Sequence, residues 1–430
     1  MNKMNKSISQ LCIALAISLF PSVLPAQTKL TLDDCIEMAL KNNVRIKNAD
    51  NDVSAAKAQR KSAFTNYFPS ISASGGGVVA DKGLLEMEVA PGQTMSMIKD
   101  GLFGGVTATM PVFTGGQIVH ANKLAKVNED VSRLKRRQSE DEVRLTVEQY
   151  FWQVVMLKEK QRTLSAVQSQ LERMQQDVEA AVEAGITNRN DLLQVQLRKN
   201  ETRSTSISVE NALKISLSLL GQYIGHPADS IDIALAMDGS LPTRPEELYR
   251  TPESSLSLTT EYNLLNKQVD ASRLKYKATV GKQLPTIAIG GGFIYESLMD
   301  RDHSFWVGGI TVSVPLTKWW GGSHDMKQQK LQVRNAENQL ADQSELLLIR
   351  MQNTWNAVTD AYKQVEIAVE SISQATENLR LQSDYYHAGT CTMSDLLEAQ
   401  SLYQQSRDNY VESYAQYEVK KREYLQATGR

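Results

Sequence analysis

At 430 residues the chain is long enough for two or three ordinary domains, yet aromatic residues make up only 7% of it and the mean hydropathy is −0.35. That combination argues against one large compact core. Lys and Arg number 47 against 49 Asp and Glu, a net charge of −2, so no basic footprint points to a nucleic-acid partner.

The chain starts MNKMNKSISQLCIALAISLFPSVLPAQT, with a basic start, an apolar run from Leu11 to Leu19 and the small residue Ala26 before Gln27. This is the pattern of a secretory signal peptide over residues 1–26, cleaved near Ala26, and its apolar run is too short to span a membrane. A lipoprotein signal places small residues just before its cysteine, whereas Cys12 follows Ser-Gln-Leu inside the apolar run, so lipidation is not expected. Cys35 and Cys391 have no metal-ligand spacing; an oxidising compartment permits their pairing, but two distant lone thiols are more often simply buried. No apolar run of about 18 residues occurs, so no membrane-spanning helix is expected.

Beyond the signal the chain reads as one unit written twice. The first repeat, 27–220, runs helix, β-hairpin 69–113, long helix 117–184, turn and return helix 191–220. A connector, 221–255, carries Pro227, Pro242, Pro245 and Pro252 and suggests one short strand and a short helix near PEELY. The second repeat, 256–430, runs helix, hairpin 285–316, long helix 323–388, turn and return helix 395–428. YFPSISASGGG in the first half answers QLPTIAIGGGF in the second, and GGVTATMPVFTGGQ answers GGITVSVPLTKWWGGS, with Trp319 and Trp320 in an insertion. The turns match best: EAGITNRNDLLQVQ (Glu183–Gln196) and HAGTCTMSDLLEAQ (His387–Gln400) share Ala184/Ala388, Gly185/Gly389 and Asp191/Asp395 in register.

In the first long segment Val143, Val147, Tyr150, Val154 and Leu157, then Leu164, Val167, Leu171 and Met174, recur at steps of mainly three and four, as in a coiled coil. At 1.5 Å per residue such a helix is about 100 Å long. Neither long segment contains proline, and Gly185 and Gly389 stand where a left-handed residue would stop each helix. Asn190/Asp191 and Ser394/Asp395 are expected to cap the return helices.

The four strands alternate small or polar with apolar residues, as in Ser70-Ile71-Ser72-Ala73-Ser74 and Val106-Thr107-Ala108-Thr109-Met110. Each run of about ten residues suffices for a tilted strand across a bilayer. Alternation alone equally fits a half-buried soluble sheet. Two features favour the membrane: the aromatic residues Tyr67, Phe68, Phe103, Phe113, Tyr295, Phe305, Trp306, Trp319 and Trp320 at strand ends, resembling an interfacial girdle, and the fact that four strands cannot close a water-filled barrel. Three chains would supply twelve. The expected fold is therefore mixed α and β: a long α-helical coiled-coil barrel continued by a transmembrane β-barrel, four strands per protomer, internally duplicated and trimeric. Prolines 69, 111, 285 and 315 are expected where strand gives way to helix.

In order, spacing and duplication the sequence resembles the TolC-type outer-membrane efflux protein family over essentially the whole mature chain. The resemblance rests on LTLDDCIEMALKNN, FPSI and LPTI, MPVFTGGQ, both AG…DLL turns and the final YLQATG. It implies a homotrimeric channel in the cell outer membrane with a large periplasmic portion. This channel would passively conduct substrates within a tripartite efflux or type I secretion system, docking onto a periplasmic membrane-fusion adaptor fed by an inner-membrane pump. The resemblance places adaptor contacts at Ala184, Gly185 and Ile186 and at Ala388, Gly389 and Thr390. It places a periplasmic gate at Asp395 and Glu398, whose spacing puts them on one helix face, with Asp191 and Tyr386 matching a link between neighbouring coils. A basic residue of a second link is matched by Cys391, so that lock is missing or replaced. Without the resemblance, Asp395 reads as a helix cap and Glu398 as a solvated surface residue.

A periplasmic coiled-coil adaptor or a scaffold protein without a pore is the alternative, but an adaptor would carry one hairpin, and a scaffold would not need duplicated strands. The five histidines form no ligand spacing, and no nucleophile elbow, P-loop or dinucleotide fingerprint occurs. No metal, cofactor or enzymatic activity is expected.

Overall fold

The computed structural model describes residues 28–82, 85–97, 100–228, 231–233, 237, 239–297, 302–316 and 318–430. The expected signal peptide 1–26, its cleavage near Ala26, and the connector residues around Ser230 lie outside the described residues, as does the side chain of Trp319. In chain order the elements are β1 (Thr28–Leu30), α1 (Leu32–Asn42), α2 (Val44–Thr65), β2 (Ser70–Val79), β3 (Leu85–Ala90), β4 (Gln93–Met97), β5 (Asp100–Phe113), α3 (Gln117–Glu183), α4 (Arg189–Ile224) and β6 (Ile231–Ile233). A 3-10 turn at Glu246–Leu248 follows, then α5 (Pro252–Leu256), α6 (Thr260–Gly281), β7 (Thr286–Ser297), β8 (Asp302–Ser313), α7 (Lys318–His387) and α8 (Met393–Ala427).

The contacts divide the chain into two compact units, and each draws on both sequence repeats. The first comprises residues up to Asn43, Val143–Leu248 and Asn356–Glu423. Its buried seams follow the three-and-four spacing: Val143, Val147, Val154, Leu164, Val167 and Leu171 on α3, Val358 and Val365 on α7, and Tyr410 and Tyr417 on α8. β1 pairs in parallel with β6. A reciprocal capping box opens α1, Thr31 accepting from the Asp34 backbone while the Asp34 carboxylate accepts from the Thr31 N–H. At its other end Asn42 and Asn43 donate to the carbonyls of Ile224 and Tyr223 at 3.0 and 3.1 Å, satisfying acceptors that the end of α4 leaves open. The buried tyrosines of α8 fasten the connector: the Tyr410 hydroxyl donates to the Ser240 carbonyl at 2.9 Å and that of Tyr417 to the Thr243 carbonyl at 2.6 Å.

The second unit comprises Val44–Glu142, Tyr249–Trp355 and Tyr424–Arg430. It holds one antiparallel sheet ordered β2-β5-β7-β8 and a separate hairpin, β3-β4. The central pairing, β5 with β7, joins the strands of the two repeats from Leu102↔Ser297 to Phe113↔Ile287. At the edge strands β2 and β8 the sheet is open. Tyr424 continues the seven-residue spacing of Tyr410 and Tyr417, accepting from the Arg250 N–H at 2.9 Å and donating to its carbonyl at 3.3 Å. Its ring lies 5.1 Å from that of Trp355, which in turn lies 4.9 Å from Tyr249.

Several expectations need correction. Pro111 does not end a strand; it lies inside β5, opposite Ala288, with an irregularity before Phe113. The reason is local: β2 pairs with β5 only as far as Ser70↔Thr109, so at Pro111 one side of β5 has no partner strand, the edge setting in which proline is tolerated. The return helices are not capped by Asn190/Asp191 and Ser394/Asp395. They begin earlier, at Arg189 and Met393, behind Asn188 and Thr392. α7 starts at Lys318 rather than 323, which puts the 82% exposed Trp320 on a helix. Cys35 and Cys391 are both unpaired thiols; burial, aided by the Asp34 charge, pushes Cys35 up to about 11, so it stays protonated.

Candidate functional site

Both turns are built from the same hydrogen bonds. Gly185 donates to the Val182 carbonyl and Ile186 to that of Ala181, at 3.0 and 2.9 Å. In the second turn Gly389 donates to Tyr386 and Thr390 to Tyr385, at 3.0 and 2.9 Å. This doubled pattern is a Schellman closure, which requires a left-handed residue at the glycine, and φ is +70° at Gly185 and +72° at Gly389. A side chain at either glycine would meet nothing within 4 Å. Ala184, Ala388 and Thr390 are exposed and Ile186 is 80% exposed, so both turns present backbone and small side chains to solvent.

Behind the turns Val178, Val195, Met393 and Leu396 form a buried cluster, against which Val182, Leu192, Leu379 and Tyr386 pack. The hairpins α3-α4 and α7-α8 are thereby held together at their turns. A cleft of about 480 Å³ lies beside this cluster, lined among others by Asp177, Thr187, Asp191, Tyr386, Cys391 and Thr392.

The two repeats diverge at their acidic position. Asp395 stands at the third residue of α8 and completes a capping box: its carboxylate accepts from the Thr392 N–H at 2.9 Å and hydroxyl at 2.6 Å, while Thr392 accepts from the Asp395 N–H at 3.3 Å. These bonds hold its carboxyl below the usual range. In the first repeat Asn188 caps alone, accepting from the Asp191 N–H at 3.1 Å. The Asp191 carboxylate instead accepts from the Thr187 hydroxyl at 2.5 Å. Burial and the Asp191 charge push the Tyr386 phenol up, while its bond with Thr187 works in the opposite direction. Asp191, Thr187 and Tyr386 therefore form one polar cluster. The sequence reading missed Thr187, although a hydroxyl four residues before an acid across a helix start is a readable signal. It also missed the Thr-x-x-Asp box at Thr392. Glu398 is exposed on α8. The Cys391 thiol donates to the Gln382 carbonyl at 3.4 Å.

The register of the sheet sorts its side chains. One face carries the rungs Ala73-Val106-Phe293-Trp306, Ile71-Ala108-Gly291-Gly308 and Met110-Ile289-Ile310. The other carries Ser70-Thr109-Gly290-Gly309 and Ser72-Thr107-Gly292-Val307, with the Ser72 and Thr107 hydroxyls bonded at 3.1 Å. The apolar face is not buried: Ile71 is 73% exposed and Trp306 81%. Val78, Phe103, Ile294, Phe305 and Val307 are apolar exceptions on the second face. Among the described residues no helix is long and apolar enough to cross a membrane, and no cluster of His, Cys, Asp and Glu has the arrangement of a metal site.

Comparison with solved structures finds the same fold. The outer membrane protein VceC from Vibrio cholerae is 12% identical, with a TM-score of 0.78 over 93% of this chain and 96% of that one. The CmeC outer membrane channel of Campylobacter jejuni is 14% identical, with a TM-score of 0.76 over 94% and 89%. The MtrE outer membrane channel of Neisseria gonorrhoeae, in its open state, is 14% identical, with a TM-score of 0.74 over 95% and 93%. A search of curated proteins finds no sequence match. The family model described as Outer membrane efflux protein matches residues 35–226 and 265–430. With the greater part of its length matched, the chain belongs to the outer membrane efflux protein family.

Proposed function

We propose that three copies of this chain form an outer-membrane export channel that passively conducts substrates from a periplasmic adaptor and its inner-membrane pump to the exterior. The observation that carries this reading is the sorted, open-edged sheet. An exposed apolar face backed by small and polar residues fits lipid on one side and water on the other. Free strand edges are tolerated in a bilayer only if further strands close them, and twelve strands from three protomers would do so. The exposed glycine turns fit close approach by a partner, and the Asp191-Thr187-Tyr386 cluster fits a link that restrains the channel mouth. CmeC and MtrE, described as outer membrane channels, support the same direction. Native mass spectrometry of detergent-solubilised protein tests the reading: a trimer that conducts ions in planar bilayers is expected. A monodisperse monomer, or full solubility without detergent, would overturn it.

A further inference from the structure

Where the helices of the second unit meet the sheet, the charge is one-sided. The end of α2 and the residues after it, 57–68, contain Lys57, Arg60 and Lys61 and no acid; the start of α3, 114–126, contains Lys123 and Lys126 and no acid. The corresponding stretches of α6 and α7, 273–284 and 316–330, are also basic, with Asp325 as their one acid. The far ends of the strands instead carry Asp100, Glu296 and Asp302. In a chain of net charge −2 this concentration of cations needs a local cause.

Between α2 and α3 the cations line a cleft of about 550 Å³ together with Phe64, Tyr67 and Val119. Its wall is fixed: Asn122 donates to the Ala63 carbonyl at 2.9 Å, and the buried Glu129 pairs with Arg60 and Arg133 at 3.0 and 2.7 Å. Glu129 is thus already neutralised. Lys57, Lys61, Lys123 and Lys126 have no ion-pair partner among the described residues. Burial first, and then the charges of Lys123 and Lys277, keep the neighbouring His120 imidazole below its ordinary range. Phe64 stacks edge-on with Tyr67 and Phe68 at 5.6 Å and is 55% exposed. Lys57 lies seven residues from Phe64, and Lys126 seven from Val119, about 10 Å along each helix axis. The headgroup layer of a bilayer is about 5–8 Å deep on each side. The cleft therefore has an apolar, aromatic end towards the sheet and a cationic end one headgroup away from it.

We propose that this cleft seats the phosphate of an anionic glycerophospholipid from the periplasm-facing leaflet, with its glycerol and upper acyl chains beside Phe64, Tyr67 and Val119. The inference rests on the outer-membrane reading above. Phosphate offsets part of the charge of the unpaired lysines, and the aromatic end accepts the chains, which a free anion lacks.

The test uses the full chain in detergent, titrated with phosphatidylglycerol or phosphatidylcholine and read by native mass spectrometry, with flotation on vesicles of each lipid as a parallel assay. The parent trimer is expected to retain phosphatidylglycerol about tenfold or more over phosphatidylcholine. Lys57→Gln/Lys61→Gln/Lys123→Gln/Lys126→Gln should lose that preference while still floating with phosphatidylcholine vesicles. The milder Lys123→Gln/Lys126→Gln pair, judged alone if the fourfold variant does not assemble, should lower the preference severalfold. Equal retention of both lipids by the parent, or an undiminished preference in the variants, overturns the proposal. So does inorganic phosphate at millimolar concentration if it stabilises the protein as well as the lipid does. Failure to float with any vesicle instead overturns the outer-membrane reading, so the two failures are distinguishable.

Discussion

Gly115 and Gly281 meet backbone to backbone: a Cβ on Gly115 would stand 2.1 Å from the Gly281 carbonyl oxygen, and a Cβ on Gly281 2.4 Å from that of Gly115. This is where β5 hands over to α3 beside the end of α6. No side chain can move aside there, because both obstacles are main chain. Gly281→Ala should destabilise the fold by about 1–3 kcal/mol. Gly115→Ala should cost more, since φ there is +62° and a side chain adds left-handed strain. Thermal unfolding of the purified protein measures both.

The turn glycines differ in having open space around them. Gly185→Ala with Gly389→Ala should cost only the left-handed strain, about 1–2 kcal/mol per site, and leave export intact. Gly185→Trp with Gly389→Trp carries the same strain but should in addition abolish export at an assembled yield equal to that of the alanine pair, since its bulk obstructs an approaching partner. Normal export by the tryptophan variant would show that the turns are not the docking surface.

If three copies place Asp395 and Glu398 around one narrow mouth, as proposed, that mouth should favour cations and bind multivalent ones. Asp395→Asn with Glu398→Gln is expected to weaken both the cation selectivity and the block by multivalent cations from the periplasmic side, as recorded in planar bilayers. Thr392 still accepts from the backbone N–H of residue 395, so assembly should persist. The hydrogen-bonded Asp395 carboxyl has its range depressed on folding. Its contribution to stability is therefore present above the unfolded value and lost as pH falls through the folded one.

Glu148 behaves in the opposite sense. Burial pushes it up to about 7 despite Arg422 at 3.7 Å. Its contribution is complete below the unfolded value, near 4.5, and is lost as pH rises towards 7. Thermal melts of Glu148→Gln should be flatter between pH 5 and pH 8 than those of the parent, by about 1–3 kcal/mol over the window. An identical pH slope in both proteins would refute the assignment.

The mixed architecture, the long helices and the duplication were legible because each has a periodic or repeated signature: steps of three and four in α3, alternation in β5, and glycine at both turns. Pro111 was misread because a single strand does not reveal where its neighbour stops. The caps were misplaced by two or three residues because Asp is acceptable both as a cap and in the first helical turn, and only geometry distinguishes them. The β3-β4 hairpin, LEMEVA and QTMSM around Gly92, does alternate, with Leu85, Met87 and Val89 against Glu86 and Glu88, but its strands are short and the reading of one hairpin over 69–113 did not separate them. Tyr410, Tyr417 and Tyr424 show their seven-residue spacing openly, yet nothing in that spacing says that their hydroxyls seek carbonyls some 170 positions earlier. Around the turns the sequence pointed to the two glycines, Asp191 and Tyr386, but Thr187 emerges only once Asp191 and Tyr386 are placed in space.

Those tyrosines also set an order of events. Their partners, Ser240, Thr243 and Arg250, lie 170 to 174 residues upstream, so a growing chain exposes the connector long before the hydroxyls that anchor it exist. N-terminal segments ordinarily settle first during synthesis, but this link between the repeats must wait for the last helix. The closing of so long a loop makes maturation slow. The connector is therefore expected to stay unanchored until α8 has been made.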